Sequence, residues 1–166
     1  MLTNKEIGDL YEEYICSYIN LETINDAYLW KDTPETILFN SGIVTDYNKH
    51  RLLRKSNKIN PLQDIGIDIV IQTPTNEIIF GQCKNYIRTV LIGDLSGFFS
   101  IMATHIDKQG IIFHTSEVSS IIKERCNASN NRIMIHKKEF IDPNKPDWMD
   151  IDQGYDASGN YWRPKI

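Results

Sequence analysis

The stretch DIGIDIVIQTPTNEIIFGQCKNY, residues 64–86, sets three polar side chains among isoleucines: Asp68, Gln82 and Lys84. Their types suit one chemistry. A carboxylate is the natural ligand of Mg²⁺, a hard cation that takes oxygen donors and relies on one or two carboxylates plus substrate phosphate. The Gln82 side-chain oxygen and the main-chain carbonyl of Cys83 could supply two further donors. An ammonium group at Lys84 could orient a water molecule and offset charge developing on a phosphate. Metal-bound water is acidified and the metal clamps phosphoryl oxygens, so the set suits hydrolysis of a phosphodiester. A plainer role is open to the same residues: an Asp68–Lys84 ion pair that serves the fold alone.

The flanking pattern predicts the elements that must hold these groups. The runs IDIVIQ and EIIFGQCK are apolar at both parities, as in strands covered on both faces. The loop TPTN between them makes the pair an antiparallel hairpin. A loop of that length pairs residues whose numbers sum to about 150, which sets Asp68 opposite residue 82. Gln82 and Lys84 share one face, and the Cys83 side chain points to the other. The three polar groups are thus expected at one end of the hairpin.

Upstream, Thr3 and Glu6 form a T-x-x-E capping box ahead of a helix. Its apolar stripe is Ile7, Leu10, Tyr11, Tyr14, Ile15 and Tyr18. Glu12 falls near one edge of the stripe, about 120° from its centre, and Glu13 lies beyond the opposite edge. Residues 24–60 read as irregular, with partial burial expected around Trp30 and TILFNSGIV. Downstream, GDLSGFFSIMATH predicts a helix, GIIFHTS a buried strand, EVSSIIKERCNAS a helix capped by Ser116, and RIMIH a last strand. The stripe expected on the last helix is Val118, Ile121, Ile122 and Arg125. The order is α-(insert)-β-β-α-β-α-β, an α/β domain whose mixed sheet is flanked by helices. The domain is expected over residues 1–141 with an insert at about 25–62, followed by a C-terminal arm or linker over 142–166.

Composition narrows the function classes. At 166 residues the chain is long enough for one domain with a real core. A net charge of −4 gives no overall signal for a polyanion, so any anion-binding face must be local. One candidate is KHRLLRKSNK, where Lys49, Arg51, Arg54, Lys55 and Lys58 put five positive charges in ten residues with no acid. Such a run could follow a phosphodiester backbone with salt-dependent, sequence-independent affinity; charge runs are otherwise solvated loops. Cys16, Cys83 and Cys126 show no paired spacing, which argues against a disulfide framework or a zinc site and fits a reducing, intracellular compartment, cytoplasmic or nuclear. The N-terminus carries no signal-peptide pattern, and no apolar run approaches the roughly 20 residues of a membrane span. His50, His105, His114 and His136 match no metal-site spacing, and no Gly-rich phosphate loop marks an ATPase.

The segments DIGIDIVIQ and FGQCKNY resemble the PD-(D/E)xK nuclease superfamily in its Mrr-like branch, where the pattern is G-[IV]-D, a hairpin, then Q-x-K. GDLYEEYI resembles the first helix of that branch, with Tyr11 preceding the active-site glutamate position at Glu12. The later strand–helix–strand is similar as well, so the likeness spans roughly residues 5–141 outside the insert. It implies a restriction-endonuclease-like fold and a Mg²⁺- or Mn²⁺-dependent DNA endonuclease. Asp68 would ligate the metal, with Gln82 and the Cys83 carbonyl completing the protein's share. Lys84 would orient the attacking water, and Glu12 would hold a second metal or a metal-bound water, with Glu13 as the fallback. Two departures stand out: Ile67 replaces the proline, and Gln82 replaces an acid, which removes a negative charge and implies weaker metal binding. YLWKDTP, NPLQDIGIDI and QCKNY also look like the nuclease-type domain at the front of large viral superfamily-2 helicases, with YWRP similar to the opening of a helicase core. The partners implied are DNA, a helicase module in the same or a partner chain, and a second copy for double-strand cutting. The competing expectation is a catalytically silent DNA-binding module of the same fold. Asn85 and Tyr86, directly after Lys84, are within reach of substrate.

Overall fold

The computed structural model describes residues 1–53 and 65–140. Arg54, Lys55 and Lys58 of the basic run, and the expected arm over 142–166, lie outside the described residues. The described elements are α1 (Asn4–Glu22), β1 (Asp26–Leu29), α2 (Glu35–Asn40), α3 (Lys49–Leu52), β2 (Ile69–Gln72), β3 (Ile78–Lys84), α4 (Ser96–Thr104), β4 (Gln109–His114), α5 (Ser120–Ala128) and β5 (Ile133–Lys137). Among them, no helix is long and apolar enough to cross a membrane.

The strands form one mixed sheet in the order β1-β2-β3-β4-β5. The first two pairings are antiparallel and the last two parallel. Parallel neighbours need a crossover, and α4 and α5 supply the two that β3, β4 and β5 require. The expected hairpin register holds: Ile69 pairs with Gly81 and Ile71 with Ile79.

Side-chain alternation sorts the sheet into two apolar layers. Ile69, Ile71, Ile79, Cys83 and Phe113 pack against Tyr11, Tyr14, Ile15 and Ile19 of α1. Val70, Ile78, Phe80 and Ile112 pack on the other face with Phe98 and Met102 of α4 and Ile122 and Cys126 of α5. The central strands are covered on both sides, which is why their sequences are apolar at both parities. The capping box at Thr3 forms as expected: the Glu6 N–H donates to Thr3 Oγ1 at 3.2 Å, and the Thr3 N–H to Glu6 Oε2 at 2.7 Å.

Three local expectations change. The segment from 24 contains an edge strand, β1, paired with β2 from Asp26↔Gln72 to Leu29↔Ile69. Four residues are too few to show a period, and the strand exists because β2 offers it a ladder. The same segment contributes Trp30, Ile37, Leu38, Ile43, Val44 and Leu52 to the core. Ser116 does not cap α5; its hydroxyl donates to the Arg88 carbonyl at 2.6 Å, and the N-cap position is Ser119. Ile121 is exposed, and the buried stripe of α5 is Ile122 and Cys126.

One close approach places the start of β2. Gly66 has φ +88°, and a Cβ there would lie 2.5 Å from the Gly97 carbonyl carbon and 2.6 Å from the Phe98 nitrogen. Both the left-handed backbone and the missing side chain are required for the chain to cross the start of α4. The chain leaves this crossing straight into Ile67 and Asp68.

Candidate active site

Asp68 is held by its backbone on both sides. Its N–H donates to the Gly81 carbonyl at 2.9 Å, and its own carbonyl accepts from the Trp30 N–H at 2.7 Å. The edge strand missed in the sequence thus leads directly into a contact that fixes the aspartate. The Asp68 carboxylate then accepts the Cys83 N–H at 2.7 Å. That donor belongs to the β3 main chain just past the last β2 partner, so its N–H lies near the plane of the sheet. The carboxylate therefore lies on the β2 side of the central strand β3, standing in where the β2 ladder stops.

This placement brings Glu12 into range. Burial and the negative charge of Asp68 push the Glu12 carboxyl up to about 8. The Glu12 carboxyl thus senses the Asp68 charge from a separate element, which disfavours its ionised form. The Cys83 thiol is pushed well up by its own burial and the same two charges, so it is a neutral core group. Glu12 lines an open cleft of about 920 Å³ with Cys83, Lys84, Tyr86, Arg88 and Thr115. Glu12 lines the cleft and Glu13 does not.

Gln82 behaves differently. It is 5% exposed, does not line the cleft, and its Oε1 is buried without a hydrogen-bond partner, as are Trp30 Nε1 and Ser119 Oγ. An orphaned buried acceptor costs about 1–3 kcal/mol. Among the described residues, no group of three or more His, Cys, Asp or Glu is placed to hold a metal ion; Glu12 and Asp68 are the two carboxylates that interact here. A hard cation held by two carboxylates and neutral oxygens fits that donor set. The orphaned Gln82 oxygen, one residue before the Cys83 N–H that Asp68 grips, is the kind of acceptor such a cation would satisfy.

Lys84 ends β3 beside His114 in the parallel register and faces Tyr86, its Nζ 5.8 Å from the ring centre. His114 is buried, bonds through Nδ1 to the Ser116 carbonyl at 2.5 Å, and is pushed down by burial, so it is a neutral structural residue at the strand end. The two described members of the basic run are elsewhere. Lys49 and Arg51 sit on α3 and do not line the cleft, and Lys49 is paired to Asp46 at 2.9 Å. The cations that do line the cleft are Lys5, Lys84 and Arg88. Neither Lys5 nor Arg88 stands in a charge run, so composition carried no signal for them.

A family model described as a restriction endonuclease, of the Mrr catalytic type, matches residues 44–158, more than half of the chain. The chain belongs to this restriction endonuclease family. The match begins after α1, so the placement of Glu12 rests on the geometry above and not on the family. No curated protein matches the chain in sequence. Among solved structures, the chain is similar to the ATP-dependent Type ISP restriction-modification enzyme LlaBIII bound to DNA, with 15% identity and a TM-score of 0.55, over 81% of this chain and 8% of that one. A repair endonuclease from Pyrococcus abyssi is matched at 11% identity and a TM-score of 0.42, over 84% of this chain and 48% of that one. The chain therefore spans under half the length of either structure, and the first of them supports the restriction-endonuclease-like fold.

Proposed function

We propose that the chain hydrolyses DNA phosphodiester bonds as a divalent-metal-dependent endonuclease. The observation that carries this reading is the meeting of Asp68 and Glu12 beside the cleft that Lys84 lines. Glu12, Asp68, Gln82 and the Cys83 carbonyl would hold Mg²⁺ or Mn²⁺. When bound, the ion would supply acidity to the attacking water and charge neutralisation at the phosphoryl oxygens. The chain's own residues do the rest. Asp68 is preset by three main-chain contacts, so little ordering is left for the moment of reaction. Lys84 places an ammonium at the cleft wall, where it orients the water and offsets charge at the phosphate as one P–O bond forms and another breaks. Burial excludes bulk water on the Gln82 side.

The test is a Mg²⁺ and Mn²⁺ titration on plasmid and branched DNA. Wild type is expected to cleave both in a metal-dependent way, and Lys84→Ala to lose about a hundredfold or more in rate while still binding DNA. A second reading, a catalytically silent DNA-binding module, draws on the neutral Gln82 where an acid would hold a cation more firmly. It takes over if wild type binds DNA but no metal yields cleavage on any form. One site per chain means that double-strand cutting would require a second copy, which sedimentation on DNA would reveal. Association with a helicase, in the same or a partner chain, is the setting proposed for the domain, on the likeness of YLWKDTP, NPLQDIGIDI and QCKNY to the nuclease-type domain of viral superfamily-2 helicases. Copurification of an ATPase with the full-length gene product tests that setting.

A further inference from the structure

The loop directly after Lys84 is built more rigidly than a surface loop requires. Thr115 Oγ1 donates to Asn85 Oδ1 at 3.0 Å, with the Tyr86 carbonyl at 3.3 Å as its other acceptor, and Ser116 Oγ donates to the Arg88 carbonyl at 2.6 Å. Farther on, the Val90 N–H donates to the Glu117 carbonyl at 2.8 Å. Arg88 is held by a two-bond pair with Asp94, at 2.7 and 2.8 Å, and its guanidinium lies 4.5 Å from the centre of the Tyr86 ring. Arg88 holds the Asp94 carboxyl down at about 2, so the pair is intact across the neutral range. Asn85, Tyr86 and Arg88 are thus each tied to the rest of the fold. Ile87 is 96% exposed and still lines the cleft.

A single exposed isoleucine is ordinary. An isoleucine between two anchored neighbours, Tyr86 and Arg88, three residues from Lys84 and beside their stacked side chains, is a presented group. We infer that the 85–88 loop is a lip that holds an unstacked nucleobase, with Ile87 as an apolar wedge and Tyr86 with Arg88 as its backing. The inference rests on the nuclease reading and adds a substrate class: DNA with an unpaired or easily unstacked step beside the scissile phosphate. Of the cations on the cleft wall, Lys5 is paired with Asp9 at 2.7 Å and Arg88 with Asp94, which leaves Lys84 to meet the strand. Three residues of chain span at most about 11 Å. At about 3.4 Å per nucleotide of one strand, the wedge meets a base within about three nucleotides of the cut. Apolar side chains that enter a base step pay for unstacking, and that cost is lowest where a base is already unpaired. Base stacking on protein side chains discriminates without reading sequence.

The experiment measures binding without cleavage, in Ca²⁺, on a short duplex with and without one unpaired nucleotide, each labelled with 2-aminopurine at that step. Wild type is expected to prefer the unpaired form by about tenfold and to raise 2-aminopurine fluorescence on binding. In Ile87→Ser the preference should collapse to near unity and the fluorescence rise should vanish. Ile106→Ser, at another exposed isoleucine outside the cleft, should keep both. Ile87 is exposed, so its loss leaves the fold intact, and circular dichroism verifies that. Equal affinity for the two duplexes in wild type overturns the inference even if cleavage is robust. So does an Ile87→Ser protein that changes only in self-association, which would make the lip a protein interface. A fluorescence rise with no cleavage in any metal would leave the lip standing and sink the nuclease reading instead.

Discussion

The Asp68 carboxylate accepts the Cys83 main-chain N–H at 2.7 Å, so the residue expected to hold metal also closes the end of the β2–β3 ladder. The two duties separate on mutation. Asp68→Asn keeps an acceptor oxygen of the same reach, and Asp68→Ala leaves the Cys83 N–H without its partner. Both variants are expected to lose metal-dependent cleavage. Only the alanine should lose stability as well, by about 1–3 kcal/mol. Urea melts in EDTA read the second effect, and a nicking assay the first.

The Glu12 carboxyl, raised from 4.5 to about 8 by burial and Asp68, sets a pH dependence for the metal-free protein. Folded chains keep this proton over the interval in which unfolded chains have released it. Stability therefore falls as pH rises from about 4.5 to about 8 and levels off above that window. Glu12→Gln cannot ionise and should flatten that part of the profile. Thermal melts across the window, in EDTA, check the sign; a slope that survives in the glutamine variant would assign it to another group.

Part of this arrangement is legible in the sequence. The TPTN loop determined the hairpin register, and apolar residues at both parities showed that β2 and β3 are covered on two faces. The tyrosines of α1 marked its buried side. What escaped were relationships made by tertiary contact. The edge strand Asp26–Leu29 has no period of its own and forms on the ladder of β2. The direction of the Asp68 side chain follows from the end of a neighbouring strand, which alternation along Asp68's own strand does not encode. Gln82 shares the face of Lys84 by alternation, yet it is buried below the cleft that Lys84 lines. The cleft cations Lys5 and Arg88 are isolated in sequence and meet only because α1 and the loop after β3 border the same space.

Gln82→Glu separates the metal role of this position from a packing role. A third carboxylate beside Asp68 and Glu12 would raise the ligand charge, and affinity for Mg²⁺ is expected to tighten by about tenfold. Without metal the same change buries an unpaired charge in place of a neutral amide. The variant should therefore melt below wild type in EDTA and recover on adding Mg²⁺, with calorimetric titration giving the affinity. A loss of stability that metal does not restore would show that the Gln82 oxygen faces no cation.

Gly66→Ala tests how the site is positioned from behind. The new Cβ would meet main-chain atoms of Gly97 and Phe98 at 2.5–2.6 Å, and backbone cannot swing aside as a flexible side chain can. The left-handed φ of +88° adds strain for any residue with a Cβ. Together these should cost at least about 2 kcal/mol. Gly93→Ala is the matched control, since a Cβ there meets nothing within 4 Å, and its effect should stay within about 0.5 kcal/mol. Relief of the clash must push the chain entering β2 away from α4, and Asp68 lies two residues farther on. Cleavage by Gly66→Ala should thus fall even at temperatures where circular dichroism shows it fully folded. If the folded variant cleaves at the wild-type rate, the Gly66–Gly97 crossing supports the sheet without setting Asp68.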